Sequence, residues 1–371
     1  MRPIRARRLV TTVIAALAFA AAQAEPVADA LDRPALAIRH VENVVLLGAA
    51  RAGARIVAVG ERGCVALSDD GGRSWKQARA PVSSTLTSVR FVDANGGWAV
   101  GHSGVVLRTR DAGATWERQL DGRTAAGLLL AAATRSAEQA SEGSASRAAN
   151  ERALREAARF VQEGADKPFL DVAFVDRNHG FIVGAYGMAF RTQDGGQTWR
   201  PLTLDNPKAL HLYAVRAQGA TVLVAGEQGL LLRSDDGGES FISLVSPYAG
   251  SWFTAEILPG GEFLVAGLRG NAFRSVDRGV RWSRTAAAAP VSFVASALQG
   301  NRVLLVNQAG VLFASADGGQ TFASQTASAL PSPSALLPLG DGRVLSFGLR
   351  GAMPVDIAPA AIPTTIAEAP K

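Results

Sequence analysis

Thr192-Gln193-Asp194-Gly195-Gly196-Gln197-Thr198-Trp199 decides the fold, because close copies of this stretch return along the chain. The pattern is Ser/Thr-x-Asp-x-Gly-x-Ser/Thr-Trp, and each position has a physical task. Glycine supplies the positive φ of a tight turn, and a short Asp side chain accepts hydrogen bonds from backbone N–H groups of the same turn. The two hydroxyls can close the loop from both ends. The aromatic starts the next strand and offers a large apolar face to a neighbouring element. Working outward, copies appear at Ser68–Trp75, Thr109–Trp116 and Ser234–Phe241, with weaker ones at Ser275–Trp282 and Ser315–Phe322. The conserved carboxylates are therefore Asp70, Asp111, Asp194, Asp236, Asp277 and Asp317.

Five residues before each copy a glycine closes a second short turn: Gly63, Gly104, Gly187, Gly229, Gly270 and Gly310, with a seventh at Gly351 that no aspartate turn follows. Successive spacings are 41, 83, 42, 41, 40 and 41, so the 83 is one period plus an interruption of about 42 residues. A period near 40 with two turn signals fits a four-stranded propeller blade, and a two-helix solenoid repeat has a similar length. The segments between the turns decide between them. Phe181-Ile182-Val183-Gly184 and Arg55-Ile56-Val57-Ala58-Val59 are rich in β-branched residues, carry no 3.6-residue pattern and end at or near glycine. The predicted class is all-β, a seven-bladed β-propeller with an α-helical insertion between blades two and three.

The insertion spans residues 121–168, where the composition shifts to Ala, Glu, Arg and Ser. Two helices split near Gly143 are expected, the second with Ala153, Leu154, Ala157, Phe160 and Val161 on one face and with Glu151–Arg155 and Arg152–Glu156 pairs opposite. The other boundaries follow from the ends of the chain. Residues 1–24 read as a signal peptide, with a basic start, an apolar run from Leu9 to Ala22 and a small-x-small site at Ala22-Gln23-Ala24. The propeller occupies 25–361 and a Pro/Ala/Thr tail 362–371. The last blade lacks a fourth strand, and residues 34–41 are expected to supply it and close the ring. Export through the signal peptide implies a periplasmic protein that does not span the membrane.

Composition narrows the function. The formal charge is +6, but Arg2, Arg5, Arg7 and Arg8 all fall in the leader; the remainder carries 34 basic against 32 acidic residues, and no basic stripe with interleaved aromatics suggests nucleic acid. Cys64 is the lone cysteine, in a slot that is apolar in every other repeat, and reads as a small buried hydrophobe. His40, His102, His179 and His211 have no ligand spacing, and each aspartate turn supplies one or two carboxylates where calcium wants six to eight oxygens, so neither a metal nor a cofactor is expected.

The second turns, between the two middle strands of each blade, differ in side chain while their frame is constant. Arg62, His102, Tyr186, Arg269 and Arg350 sit there and form the candidate partner-binding set. A catalytic alternative uses the same rim. The aspartate turn resembles the Asp-box of sialidases, which would make Tyr186 a nucleophile beside Glu61 and Glu227 with Arg62, Arg269 and Arg350 as carboxylate clamps, yet the Phe/Tyr-Arg-Ile-Pro motif of those enzymes is missing. A ligand-binding or lectin-like propeller is a third reading.

Val172-Ala-Phe-Val-Asp176-Arg-Asn-His-Gly180-Phe-Ile-Val-Gly184 and Val89-Arg-Phe-Val-Asp93-Ala-Asn-Gly-Gly97-Trp-Ala-Val-Gly101, each running on to its aspartate turn, resemble the photosystem II stability/assembly factor family of BNR-like repeat propellers. The resemblance covers almost the whole chain after the leader. It implies a seven-bladed propeller that binds a newly made membrane subunit without chemistry of its own. Similar proteins in non-photosynthetic bacteria are exported and accompany resistance-nodulation-division transporters, which implies an envelope or membrane protein partner. The family's arginine-rich recognition surface maps loosely onto the turn arginines Arg62, Arg269 and Arg350, in preference to Arg108, Arg191, Arg233 and Arg274, which recur just before the aspartate turns; Tyr186 and Trp98 are expected as anchors beside them. The helical interruption and the missing last aspartate turn depart from the photosynthetic members and leave a photosystem client unsupported.

Overall fold

The computed structural model describes residues 28–139, 145–287, 290–325, 329–340 and 342–357. The expected signal peptide, the tail after 361 and Gly143 lie outside the described residues. Seven antiparallel sheets follow one another along the chain, six of four strands and one of three. Their first strands are Leu46–Ala52, Leu86–Phe91, Phe169–Phe174, Leu212–Gln218, Trp252–Ile257, Phe293–Gln299 and Pro333–Gly340. These inner strands pack side by side in chain order, and the seventh returns to the first. The sheets are the blades of a closed seven-bladed propeller.

Alternation explains the packing. The second strand of each blade is buried on both faces, as in Arg55–Gly60 and Phe263–Gly267, so it reads as a continuous apolar run. One apolar cluster fills each gap between neighbouring blades. Val57, Leu67, Leu107 and Trp116 join the first and second, and Ile56, Ala66, Leu345 and Phe347 join the seventh and first. The ring is therefore held by sheet-on-sheet burial repeated at every seam. The outermost strand is only two residues long in four blades, at Lys76–Gln77, Arg200–Pro201, Ile242–Ser243 and Ala323–Ser324, and longer at Glu117–Leu120 and Ser283–Ala287.

The closure differs from the expectation. Among the described residues the last blade has only Pro333–Gly340, Arg343–Gly348 and Gly351–Asp356, and residues 34–41 do not pair with it. That segment runs instead along the outer edge of the first blade. Ala35 N donates to Ala80 O at 3.0 Å, and Gln77 exchanges side-chain bonds with Ile38 N and Leu36 O at 2.8 Å each. The next turn, Val41–Asn43, touches the final strand without joining its ladder. Strand donation is unnecessary because the seam is closed by side chains. Trp75 meets Phe347 edge-to-face at 6.1 Å, and Val41, Leu345 and Phe347 are buried beside Cys64. Cys64 is completely buried, and burial pushes its thiol up to about 12, so it acts as a hydrophobe.

Two helices, α1 (Gly122–Gln139) and α2 (Ala145–Glu163), follow the outer strand Glu117–Leu120 and precede Phe169–Phe174. Only part of the anticipated stripe on α2 is covered: Ala157 and Phe160 are buried, while Ala153 and Val161 face solvent. The ion pairs also shift by register. Arg147 reaches Glu151 at 3.2 Å, and Arg159 approaches Glu156 and Glu163 at 3.7 and 3.5 Å. No helix of the described residues is long and apolar enough to cross a membrane.

Candidate functional site

Each aspartate turn is a closed hydrogen-bond unit. In the third blade the Thr192 hydroxyl donates to Asp194 Oδ1 at 2.8 Å and accepts from Gly196 N at 2.8 Å. Asp194 Oδ1 also accepts from Thr198 N at 2.9 Å, and Oδ2 accepts from the Thr198 hydroxyl at 2.6 Å. The same bonds recur at Asp70, Asp111, Asp236 and Asp317. At Asp277, where the second hydroxyl is replaced, the Arg281 backbone and guanidinium donate instead, at 2.8 and 2.9 Å. Burial pushes the Asp194 carboxyl upward, but donors from Thr198 and Thr192 outweigh it and hold it below its ordinary value. Donors from Arg281 likewise hold Asp277 at about 2. Among the described residues no group of three or more His, Cys, Asp or Glu could hold a metal.

On the opposite rim the turn between the middle strands is a three-residue 3-10 segment in five blades, Glu61–Gly63, His102–Gly104, Ala185–Gly187, Glu227–Gly229 and Leu268–Gly270, with Gln308–Gly310 a looser turn in a sixth. Its shared frame is a backbone bond. The first N–H donates to the carbonyl just ahead of the inner strand, as in Glu61 N to Val45 O at 3.1 Å, Glu227 N to His211 O at 3.0 Å and Leu349 N to Ser332 O at 3.3 Å. That approach explains the glycine preceding the turn: a Cβ on Gly226 would sit 2.4 Å from His211 O. Side chains add to this frame blade by blade, as where Glu227 accepts from His211 N at 2.8 Å and Ser292 from Arg269 N at 3.1 Å. The middle residue is nonetheless held at positive φ although it is not glycine, with Arg62 at 56°, Ser103 at 59°, Tyr186 at 55°, Gln228 at 52° and Arg269 at 57°. Such strain costs on the order of 1–2 kcal/mol per residue.

Arg62, His102, Tyr186, Arg269 and Arg350 all lie exposed on this rim. They are not gathered into one cluster, because they belong to blades one, two, three, five and seven. His102 occupies the first turn position, and Ser103 takes the strained slot, accepting from the Ser84 hydroxyl at 3.2 Å. Trp98 cannot be an anchor. It is fully buried between blades, stacked on Phe174 with ring centroids 3.5 Å apart, and Arg108 covers it at 5.3 Å.

Tyr186 belongs to an arrangement the sequence did not reveal. Phe160 of α2 meets Tyr186 at 6.1 Å, Tyr186 meets His211 at 4.9 Å, His211 meets Tyr213 at 6.2 Å and Tyr213 meets Phe253 at 5.2 Å. This arc of rings runs from the helices over blades three to five to the mouth of the axial channel, which Tyr213 and Phe253 line. Buried Lys167 caps its outer end, 4.6 Å from the Phe160 ring and paired with Glu163 at 2.6 Å and with Asp166. Glu227 fixes the middle: it accepts from His211 N at 2.8 Å, contacts His211 Nδ1 at 2.9 Å and accepts from the Tyr213 hydroxyl at 3.3 Å. Burial and the Glu227 charge push the Tyr213 hydroxyl up to about 12. Residues 211 and 213 flank the start of an inner strand, outside the repeated turns, so the period gave no signal for them.

A second unforeseen feature girdles the axis. The Ser88 hydroxyl donates to Asp171 Oδ1 at 2.8 Å, Arg216 Nη1 to Asp171 Oδ2 at 2.5 Å and Arg216 Nε to Glu256 Oε2 at 3.2 Å. The Ser296 hydroxyl then donates to Glu256 Oε1 and contacts Thr254, both at 2.5 Å. The chain of bonds links blades two to six. Burial pulls the Arg216 guanidinium down, but Glu256 and Asp171 override it and raise its pKa. The available signal was a charge within an otherwise apolar inner strand, as in Phe169-Leu-Asp171-Val-Ala-Phe174.

The closed ring, the aspartate turns and the variable opposite rim define a repeat scaffold, a seven-bladed propeller that presents unlike side chains from a recurring turn. The chain belongs to the family described as photosynthesis system II assembly factor YCF48, which matches residues 20–110, 54–143 and 150–248. The photosystem II assembly lipoprotein Ycf48 of Synechococcus sp. (strain CC9902) is 32% identical over 166 residues, 41% of this chain and 47% of that protein. The photosystem II stability/assembly factor HCF136 of Cyanidioschyzon merolae is 50% identical over 48 residues, 12% of this chain and 11% of that one. The chain spans about half or less of the length of the curated relatives it matches. Among solved structures, YCF48 bound to D1 peptide superposes with a TM-score of 0.60 at 17% identity, covering 88% of this chain and all of that one. A GH74 enzyme of Niastella koreensis gives a TM-score of 0.59 at 14% identity over 86% of this chain and 53% of that one, a likeness of fold alone.

Proposed function

We propose that this chain is a non-catalytic, exported propeller that binds a membrane protein of the cell envelope and assists its assembly or stability, using the rim opposite the aspartate turns. The family supports the binding role, and one solved relative is described as bound to a peptide of D1. The observation that carries the placement is a turn frame with a shared backbone bond and with unlike, strained and exposed side chains at its tip. Backbone strain held in this way is a mark of a working surface. In this reading residues 121–168 are an insertion between blades two and three that flanks the surface through Phe160, and Tyr186 and Tyr213 form its apolar centre. Arg62, Arg269 and Arg350 recognise carboxylates around it. The six turn aspartates are structural, residues 1–24 direct the protein to the periplasm, and the client is an envelope complex such as a resistance-nodulation-division transporter.

The test is co-purification after crosslinking in the periplasm. Arg62→Glu, Arg269→Glu and Arg350→Glu combined should leave the melting temperature unchanged and abolish capture of the partner; undiminished capture defeats the placement. The glycosidase alternative finds little support at Tyr186, because Glu227 is already committed to His211 and Tyr213. Turnover of fluorogenic glycosides that Tyr186→Phe abolishes would reinstate it.

A further inference from the structure

The axial channel has two halves. The half toward the variable rim holds about 150 Å³, and the half toward the aspartate turns about 360 Å³. Arg90 and Arg216 line both. The larger half is lined by three guanidinium groups, Arg51, Arg90 and Arg216, against the single carboxylate of Glu256, a local excess of two positive charges.

These cations are not equivalent. Arg216 is saturated by Asp171 and Glu256. Both carboxylates are in turn spent: Asp171 also accepts from Ser88, Val172 N and Val215 N, and Glu256 from Ser296. Arg51 is held at the mouth of this half by bonds from Nη2 to Leu339 O at 2.9 Å and from Nε to Pro338 O at 3.4 Å. Arg90 projects from the second inner strand beside the girdle, and no hydrogen bond to its guanidinium is found among the described residues. Removal from water and the like charge of Arg216 pull its pKa down, against the opposing charges of Asp171 and Glu256. Its side chain is half-buried on the channel wall, so the five donors of its fixed fork are met by solvent until an anion displaces it. The girdle therefore bonds every charged group of the axis except one.

We propose that the channel half facing the aspartate turns is an oxyanion site, in which a carboxylate or phosphate group is taken bidentately by Arg90 and steered in by Arg51. A cavity of about 360 Å³ accommodates a dicarboxylate or a somewhat larger organic anion. Ala49, Leu336 and Leu337 form its apolar wall, which suits the methylenes of such a molecule better than a bare inorganic ion. This site is independent of the opposite rim and of the partner proposed there.

Calorimetry and thermal denaturation of the full chain test it with three probes: succinate, inorganic phosphate, and a glutamate-rich peptide with an amidated C-terminus, each at matched ionic strength set with chloride. Saturable binding of at least one probe is expected, with a rise in melting temperature and at least about tenfold weakening in Arg90→Gln, which removes the bidentate fork. Arg51→Gln, at an exposed position, should weaken the same probe without altering the fold. Loss of succinate or phosphate binding in these variants identifies a free small anion, and loss of peptide binding alone identifies an acidic side chain of a partner. No binding by any probe, or equal binding by wild type and both variants, overturns the proposal.

Discussion

The two rims of this propeller show what repetition conceals. On one, every blade but the last carries an aspartate that looks like a ligand, and in the structure each such carboxylate is consumed by the turn it belongs to. On the other, the constant element is a backbone bond to the carbonyl ahead of the inner strand, and the side chains differ from blade to blade. The first rim spends its repeated side chains on stability, and the second leaves the tips of Arg62, His102, Arg269 and Arg350 exposed. In a repeat protein the invariant polar residue is thus a poor guide to function, and the position that changes within a fixed frame is the better one.

The largest effect should come from the frame of the variable rim. Gly226→Val would place a Cβ 2.4 Å from His211 O, beneath the turn that carries Glu227 and beside the ring arc. Overpacking against backbone that cannot yield should cost about 2–3 kcal/mol. A melting temperature within a degree of wild type would show that side chains, not the backbone approach, hold this rim.

A smaller loss is expected on the opposite rim. Asp194→Ala strands the N–H of Thr198 and two hydroxyls, which should cost about 1–3 kcal/mol while partner capture is unaffected. The pH dependence has a definite sign. The folded carboxyl titrates below the unfolded one, so its contribution is present above the unfolded pKa of about 3.9 and is lost as pH falls through the folded value. The gap between wild type and Asp194→Ala should therefore narrow on acidification below about pH 4. A constant gap across that range would mean that the aspartate acts through packing. Asp277, held at about 2 by Arg281, should behave in the same way.

Much of this was open to reading, and the residues that escaped have a common cause. A period of 40 to 42 residues and paired turn signals define the blades and the aspartate hydrogen bonds, because both are local: Thr192, Asp194, Gly196 and Thr198 close within one turn. The seam between the last and first blades, the arc from Phe160 to Phe253 and the girdle from Ser88 to Ser296 join residues far apart in the chain and occupying unlike slots in their blades. Periodicity averages such positions away. Trp98 misled for a related reason. It follows the glycine of a strand buried on both faces, so its ring fills the space between two blades instead of reaching the rim.

The smallest effect separates strain kept for function from strain left by sequence drift. Both rims hold non-glycine residues at positive φ: Gln228 at 52° on the variable rim, and Ala112 at 58° in the aspartate turn of blade two, where the other turns mostly have glycine. Relief of the left-handed conformation is offset by the greater freedom of glycine in the unfolded chain, so Gln228→Gly and Ala112→Gly should each stabilise by about 0.5–1 kcal/mol. The two substitutions should then part company. Ala112→Gly restores the common turn and should be silent in partner capture, whereas Gln228→Gly deletes one of the displayed side chains next to Glu227 and should weaken capture despite the higher melting temperature. Equal silence of both would place Gln228 outside the contact surface and narrow the working rim to the blades that carry Arg62, Tyr186, Arg269 and Arg350.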